Sequence, residues 1–361
     1  ALAAVGVFVA LIHGAWWLLG DTVVAAGNLT DGDGYARLLR VTRLFEGAAW
    51  FDSSLPRANA PYGGSLHWTR PFDVLLLALA LPLAPMVGFT KALYWSGVIV
   101  SPLLHVVSAL ALIWAATPIV GRAAATFAGV LTVTQMGIMG YATVGHADHH
   151  MAFALITIVA LGFTVRLLTT PDFRRGHALA AGVTLALGLW IGPEMLGVLA
   201  LALAALGLVW LADEPGAVAR NLGVVQGLAL GLGLAVVAEH GPRNFFAVEY
   251  DRVSIIALTG ALLVLAFWSA VAVTTRLTSR EWGTTGRLAV ALAGMGAIGT
   301  ALWALYPNIL IGPLGDMDPA FLSLFDDIAE FGSVGGPSRF LIYLGGAVFA
   351  LPWVVWRTRI R

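Results

Sequence analysis

The sequence contains no cysteine, and its 20 basic and 20 acidic side chains give a formal net charge of zero. Without cysteine, the chain forms no disulfide bond and carries out no thiol chemistry. Without an excess of positive charge, it lacks the attraction on which binding to nucleic acid depends, so we expect no nucleic-acid partner. Internal repeats and low-complexity tracts are also absent, apart from stretches rich in Ala, Leu and Gly.

Charge of either sign is scarce. Charged residues make up 11% of the 361 residues, hydrophobic residues make up 59%, and the mean hydropathy is +0.87. A soluble domain carries about 25% charged residues, so this chain has too few to cover a globule in water. Its apolar runs approach the roughly 20 residues that a helix needs to cross a bilayer, and they lack the short alternation of a barrel strand. The composition therefore predicts an all-α integral membrane protein.

The apolar runs predict a polytopic bundle of about ten transmembrane helices. The first run has no basic leader and no convincing cleavage site, so we expect a retained span and not a signal peptide. The predicted spans are 1–19, 92–116, 122–144, 151–169, 177–193, 194–212, 219–238, 254–275, 288–305 and 339–356.

Basic residues between the spans separate by side and predict the orientation. By the positive-inside rule, the side with the arginine clusters is cytoplasmic. These residues are Arg122, Arg166, Arg174, Arg175, Arg220, Arg276, Arg280, Arg287, Arg357, Arg359 and Arg361. The regular alternation supports the span count, and we expect the membrane to be a bacterial or archaeal plasma membrane.

The apolar segment 71–89 does not fit this alternation as a span. Counting it reverses every later loop, and Pro82 and Pro85 interrupt it. We therefore predict a re-entrant or interfacial helix within a long first external loop, 20–91. The last external loop, 306–338, is rich in acidic residues. The whole chain, 1–361, is predicted to form a single transmembrane domain.

The first external loop contains Asp31-Gly32-Asp33-Gly34-Tyr35-Ala36-Arg37. Either aspartate can cap the helix that follows, because Asp accepts N–H groups of a first turn. Two aspartates around a glycine also suit a hard divalent cation, which prefers carboxylate oxygens. The residues alone leave both interpretations open.

A second polar motif, Asp148-His149-His150, lies where a predicted span meets water on the same external side. Side chains two residues apart converge on one ion when the chain turns. A carboxylate with an imidazole suits Mn²⁺ and similar ions better than Mg²⁺. The alternative is an interfacial polar cluster with no function.

These motifs together resemble the catalytic subunits of oligosaccharyltransferases, within the GT-C glycosyltransferase superfamily. Asp33-Gly34-Tyr35 resembles the Asp-x-Tyr motif of the family's first loop, and Asp148-His149-His150 resembles its second-loop motif. Further similar segments are Tyr62-Gly63-Gly64 through Pro71, Leu189-Trp190-Ile191-Gly192 and, in part, Asp327-Ile328-Ala329-Glu330. The resemblance implies a GT-C-like bundle of helices.

The resemblance also implies an activity and roles for residues. The chain would transfer a sugar or oligosaccharide from a polyprenyl-(pyro)phosphate donor to an acceptor on the extracytoplasmic face, with inversion by direct displacement. Asp33, Asp148 and His150 would bind a divalent metal, Mn²⁺ or Mg²⁺. The implied catalytic residues are Asp33, Asp148 and Glu330, and the candidates for the donor phosphate are Arg339, Arg70 and Arg252.

The acceptor stays open between protein, lipid and glycan. Family members carry further spans and a soluble domain with a Trp-Trp-Asp motif that reads the Asn sequon. This sequence contains no such motif, so we expect no C-terminal soluble domain in this chain.

Two other functions compete. One is a metal-independent GT-C enzyme that transfers a single sugar from a polyprenyl monophosphate, with Asp33 as base. The other is a transporter, but transporters place ionisable residues near the membrane midplane, often in repeated halves. Here the polar clusters lie at one face, and we interpret His13, His105 and Glu194 as helix contacts.

Overall fold

The computed structural model describes residues 2–20, 22–58, 60–170, 173–278, 282–311, 336–342 and 352. Within them the chain forms α1 (Leu2–Gly20), α2 (Thr22–Ala25), α3 (Gly32–Phe45), α4 (Arg70–Ala80), α5 (Ala84–Val87), α6 (Phe89–Val120), α7 (Arg122–Leu131), α8 (Met136–Tyr141), α9 (His150–Thr169), α10 (Arg175–Ile191), α11 (Met195–Leu211), α12 (Ala217–His240), α13 (Ile255–Thr278) and α14 (Thr284–Leu305). A two-residue antiparallel hairpin, β1 (Ser54–Leu55) and β2 (Gly64–Ser65), pairs Ser54 with Ser65.

Six of these helices are long and apolar enough to cross a membrane: α1, α6, α9, α12, α13 and α14. Two shorter apolar helices of 17 residues, α10 and α11, coincide with predicted spans. A helix satisfies its own backbone hydrogen bonds, so it is stable where no water is present. The structure thus confirms the predicted all-α membrane protein, while the count of ten spans stays a prediction.

The predicted span 122–144 is not one continuous helix. The chain leaves α7 at Leu131, passes through a 3₁₀ turn at Thr132–Thr134 and adopts an extended conformation at Gln135 before α8 begins. The Thr132 and Thr134 hydroxyls donate to carbonyls three residues earlier, at 2.8 and 2.7 Å. Such side-chain bonds compete with the regular helical pattern. Hydropathy does not detect them, so the predicted span 122–144 missed the break between α7 and α8.

The segment 71–89 forms most of α4 and all of α5, which are separated by a turn at residues 81–83 that contains Pro82. With 11 residues at 1.5 Å each, α4 is about 16 Å long, roughly half the thickness of the hydrocarbon core. It is therefore too short to cross as a single span. Its re-entrant or interfacial placement stays a prediction.

Most of the last predicted elements lie outside the described residues. These are residues 312–335 of the acidic loop, which include Glu330, and nearly all of the span 339–356.

The closest helix packing joins α10 and α12 through glycines. Gly223, Gly227 and Gly231 recur every four residues on the side of α12 that faces α10, and Gly182 lies opposite on α10. A Cβ atom on Gly227 would lie 2.2 Å from the carbonyl oxygen of Leu179. Small residues at this spacing let backbones approach closely, which drives helix association in lipid.

The helices around the polar end of the bundle share one apolar cluster. It joins α3, α4, α6 and α9, and it fixes the positions from which the polar side chains described below project. Its buried members are Val41, Phe72, Leu76, Ala80, Ala92, Leu93, Val100, Leu104, Ala142, Met151 and Ala152. Nearby, α1 contacts α6 through a hydrogen bond of 2.9 Å between His13 and His105, both buried. This bond agrees with their interpretation as helix contacts.

We predict that Gly227→Ala destabilises the bundle, because the new methyl group collides with the α10 backbone. Overpacking of this kind costs about 1–3 kcal/mol. Thermal unfolding of the detergent-purified protein should show a lower melting temperature. Gly233→Ala is the matched control on the same helix, since nothing lies within 4 Å of its Cβ position. Equal melting temperatures for the two variants would contradict the packing argument.

Candidate metal centre

The site begins at the loop that leads into α3. Asp31 is the N-cap: its Oδ1 accepts the backbone N–H of Gly34 at 2.7 Å. Asp33 lies two residues further on, in the first turn of α3, and is exposed. The Tyr35 hydroxyl accepts the backbone N–H of Leu29 at 2.9 Å, so the tyrosine of the Asp-x-Tyr motif ties the helix to its own leading loop. The cap role that the sequence left open between two aspartates belongs to Asp31.

The two polar motifs, far apart in sequence, are in direct contact. Thr30 donates its backbone N–H to the carbonyl of Gly145 at 3.1 Å. At the next residue of each segment, Asp31 Oδ2 lies 2.9 Å from His146 Nδ1. The backbone of Gly34 approaches Ala147 so closely that an added Cβ would lie 3.3 Å from the Ala147 methyl. The start of α3, which carries Asp33, therefore packs against the loop that carries Asp148.

Asp148 is the buried centre of this contact, with 2% of its surface exposed. Its Oδ1 lies 2.8 Å from His149 Nδ1 and 3.3 Å from the Arg37 guanidinium, and its Oδ2 lies 2.8 Å from His150 Nδ1. Burial alone would raise the pKa of Asp148. The hydrogen bonds to His149 and His150, together with the Arg37 charge, outweigh burial and hold that pKa well below its ordinary value.

Arg37 is 1% exposed and is held by more than the carboxylate. Its guanidinium stacks on Trp68, 3.9 Å from the ring centroid, and lies 5.4 Å from that of Phe72. Its Nη2 lies 3.0 Å from His149 Nδ1. Cation–π stacking and the ion pair together compensate for the burial of the arginine charge. Arg37 thereby fixes one oxygen of Asp148 and leaves the other facing His150.

Three side chains here are placed to hold a metal ion. One possible ligand atom from each of His146, Asp148 and His150 lies within 4.8 Å of the other two. The ring of Tyr141 stacks on His150 at 4.2 Å between centroids and meets His146 edge-on at 5.5 Å. His146 Nε2 is buried and has no hydrogen-bond partner among the described residues. An imidazole nitrogen with a lone pair, beside a second imidazole and an ionised carboxylate, fits a divalent cation.

The predicted site residues fall into several groups. Asp148 and His150 come together as expected, and sequence reasoning missed His146 as the third member of their group. Asp33 is not a member of that group, and its ligand role stays a prediction. Arg339 is exposed, and Glu330 lies outside the described residues.

Arg70 is buried, with its guanidinium bonded to the protein. It donates to the carbonyl oxygens of Trp50 at 2.8 Å and Asp52 at 2.6 Å, and to Asp73 Oδ2 at 3.0 Å. Arg40 donates to the same Asp73 oxygen at 2.8 Å. These contacts anchor the segment 50–73 to α3, so the structure gives Arg70 a scaffolding position. Its predicted contact with a donor phosphate would require these bonds to rearrange.

Arg252, in the segment between α12 and α13, lines an apolar cavity of about 290 Å³. Both oxygens of Glu249 accept hydrogen bonds from its guanidinium. The cavity is enclosed by α10, α11, α12, α13 and α14, and its apolar wall includes Leu196, Leu199, Leu203, Leu228, Leu232, Ile298 and Leu302. It is apolar on most of its surface, with charged groups at one end.

No protein-family model and no curated protein matches the sequence. Among solved structures, the fold is similar to that of the oligosaccharyltransferase of Archaeoglobus fulgidus. The apo form has a TM-score of 0.59 over 93% of this chain and 39% of that one. The complex of that organism's AglB with an inhibitory peptide and a dolichol-phosphate has a TM-score of 0.61 over the same shares. The complex with Zn and sulfate has a TM-score of 0.60, over 94% of this chain and 47% of that one.

Sequence identity in all three comparisons is 17%, so the likeness shows a shared fold. The chain spans less than half the length of these structures. The likeness supports the expectation that the fold of this chain is similar to that of oligosaccharyltransferases.

We predict that Arg37→Met destabilises the folded protein strongly, because it leaves the Asp148 charge buried without its cation. Breaking a buried pair on one side costs about 3–5 kcal/mol. Arg43→Met is the control on the same helix, since the Arg43–Asp52 pair is partly exposed and such pairs contribute less than about 1 kcal/mol. Melting temperatures in detergent measure both effects. Adding Asp148→Asn to Arg37→Met should restore part of the loss, and no recovery would contradict an electrostatic origin.

Proposed function

We propose that this chain is a membrane glycosyltransferase. It transfers a sugar or oligosaccharide from a polyprenyl-(pyro)phosphate donor to an acceptor on the extracytoplasmic face of the membrane. The observation that carries the proposal is the contact between the two motif loops, which brings the Asp31–Arg37 segment against Asp148 and its histidines. The oligosaccharyltransferase-like fold supports it independently, because fold comparison does not use these motifs.

The similar structures support a lipid-linked donor in general terms. The AglB structure holds a dolichol-phosphate and an inhibitory peptide, and a related structure holds Zn and sulfate. A lipid phosphate and a divalent metal are two components that the proposed reaction needs. For this chain the acceptor class stays open between protein, lipid and glycan.

The apolar cavity next to Arg252 suits the lipid part of such a donor. Its walls are leucine and isoleucine side chains of spanning helices, and its mouth carries Arg252, Glu249 and Tyr250. An isoprenoid chain is already in hydrocarbon, so the cavity would hold it by van der Waals packing against these walls, while its phosphate stays beside Arg252. We assign Arg252 and Arg339 to the phosphate, with Arg70 as a third candidate. A guanidinium binds phosphate oxygens in pairs.

The roles of the acidic residues follow from position and charge. Asp148, held ionised by its neighbours, and His150 would ligate the metal, with Asp33 as a further ligand from the first loop. Asp33, exposed at the start of α3, would also orient the nucleophile of the acceptor. When bound, a divalent ion would stabilise the charge that grows on the departing phosphate oxygen. Glu330 would contact the acceptor from the acidic loop 306–338.

We predict that Asp33→Asn and Asp148→Asn abolish sugar transfer in proteins that still fold. The loss should be about 100-fold or more, as for other groups that stabilise developing charge. The assay is transfer from a polyprenyl-linked donor in detergent or proteoliposomes, after the product has been identified by glycan profiling of a deletion strain. Glu46→Gln is the matched control, because Glu46 is an exposed acid just beyond the other end of α3. Full activity in folded Asp33→Asn and Asp148→Asn proteins would dispose of the proposed site.

We further predict that chelation with EDTA stops transfer and that added Mn²⁺ restores it. The same assay distinguishes the proposed enzyme from a metal-independent enzyme that uses a polyprenyl monophosphate donor. An enzyme that keeps its rate in EDTA, after metal analysis shows less than one ion per ten chains, would support that alternative.

A further inference from the structure

We propose that His146 is an additional metal ligand, acting through Nε2, and that Asp31 is the residue that orients it. The inference rests on the proposed metal-assisted function and adds two residues to the site. Neither residue belongs to the set Asp33, Asp148 and His150 that the sequence motifs assign.

The contact with Asp31 sets the proton on the His146 ring. Asp31 Oδ2 lies 2.9 Å from Nδ1 of His146, and a carboxylate at this distance favours the tautomer with hydrogen on Nδ1. The lone pair is then on Nε2. That nitrogen is buried, has no hydrogen-bond partner among the described residues, and belongs to the ring grouped with Asp148 and His150. A carboxylate behind the distal nitrogen of a ligating histidine is a recurrent arrangement, because it fixes ring orientation and raises basicity.

Asp31 is itself held rigidly. Its other oxygen accepts the backbone N–H of Gly34 as the cap of α3, which leaves Oδ2 directed to the imidazole. Helix α3 thus positions the orienting carboxylate.

Helix α6 holds the backbone of His146 from the other side. The Ser101 hydroxyl donates to the carbonyl of His146, and the preceding Gly145 donates its N–H to the Val98 carbonyl at 3.0 Å. Gly145 adopts φ = +85°, a conformation that side-chain-bearing residues rarely take. The ring therefore projects from a backbone fixed at two points on a spanning helix.

The added ligand changes the class of ion that the site prefers. Two imidazoles and a carboxylate favour borderline divalent ions such as Fe²⁺, Co²⁺ and Zn²⁺, and they suit Mn²⁺ better than Mg²⁺ or Ca²⁺, which prefer oxygen ligands. We expect the site to bind Mn²⁺ and Zn²⁺ more tightly than Mg²⁺.

The test measures metal binding directly on the full chain, purified in detergent and stripped with EDTA. Isothermal titration with Zn²⁺, Mn²⁺ and Mg²⁺ gives affinities, and pulsed EPR of bound Mn²⁺ reports the coordinated imidazole nitrogens. We expect His146→Gln to weaken Mn²⁺ and Zn²⁺ binding at least tenfold and to remove one imidazole coupling. Asp31→Asn should weaken binding about 10- to 100-fold, as other outer-shell changes do. Because Asn caps helices as well as Asp, this variant keeps α3 intact.

His177→Gln is the control, since His177 lies in the first turn of α10 and packs near Phe163. It should bind metal like the wild type. If the wild type binds metal and His146→Gln binds it equally, with both imidazole couplings retained, the role of His146 is wrong while the proposed function stands. A folded wild type that binds none of the three ions contradicts the metal-assisted function and this inference with it.

Discussion

Asp148 carries a negative charge at a depth where only 2% of its surface meets solvent, and the site depends on how that charge is compensated. An isolated carboxylate in such a place takes up a proton, because burial disfavours its charged form. Arg37, His149 and His150 prevent this, because together they bond both carboxylate oxygens of Asp148. Arg37 lies on α3, whereas the two histidines lie at the start of α9. The electrostatic requirement of one side chain therefore joins two segments that are far apart along the chain.

The rest of the bundle makes this junction rigid. Behind the charged groups, an apolar cluster locks α3 and α4 onto α6 and α9, so the helices that bear Arg37 and His150 keep a fixed separation. A second buried charge system, Arg40 and Arg70 on Asp73, ties α4 to α3. Further away, glycines let α10 and α12 meet backbone to backbone, and the apolar cavity opens beside this pair. This cavity, lined by apolar side chains and by Arg252 and Glu249, is the feature that the proposed substrate, with a charged head and an isoprenoid tail, would require.

Much of the fold was predictable, because the lengths of apolar runs reflect the thickness of the bilayer. The run near 92–116 predicted a spanning helix. In the structure this helix covers Phe89–Val120 and contains Pro102 and Pro118. Prolines within a membrane helix do not alter hydropathy, and neighbouring groups can satisfy the backbone bonds that they free. The break at Thr132–Gln135 was missed for a related reason, since side-chain bonds to the backbone do not affect an apolar average.

The site was predictable in part. The Asp-His-His motif at the end of a span indicated a metal site, and Asp148 and His150 do converge. What the sequence did not reveal was the partner of each charge. Arg70 looked like an external cation available to a phosphate, but tertiary packing buries it against Asp73 and the carbonyl oxygens of Trp50 and Asp52. His146 carried one signal that was available, its position two residues before Asp148. Its contact with Asp31 depends on the docking of two loops, which no local pattern specifies.

The central claim is that the two loops meet at a single divalent ion. Anomalous diffraction at the manganese edge, from crystals of the full chain grown with Mn²⁺, tests it most directly. We expect one strong peak within bonding distance of Asp148 and His150, on the side of Asp148 away from Arg37. A peak elsewhere in the molecule with none at Asp148, or no peak at saturating Mn²⁺, would contradict the account.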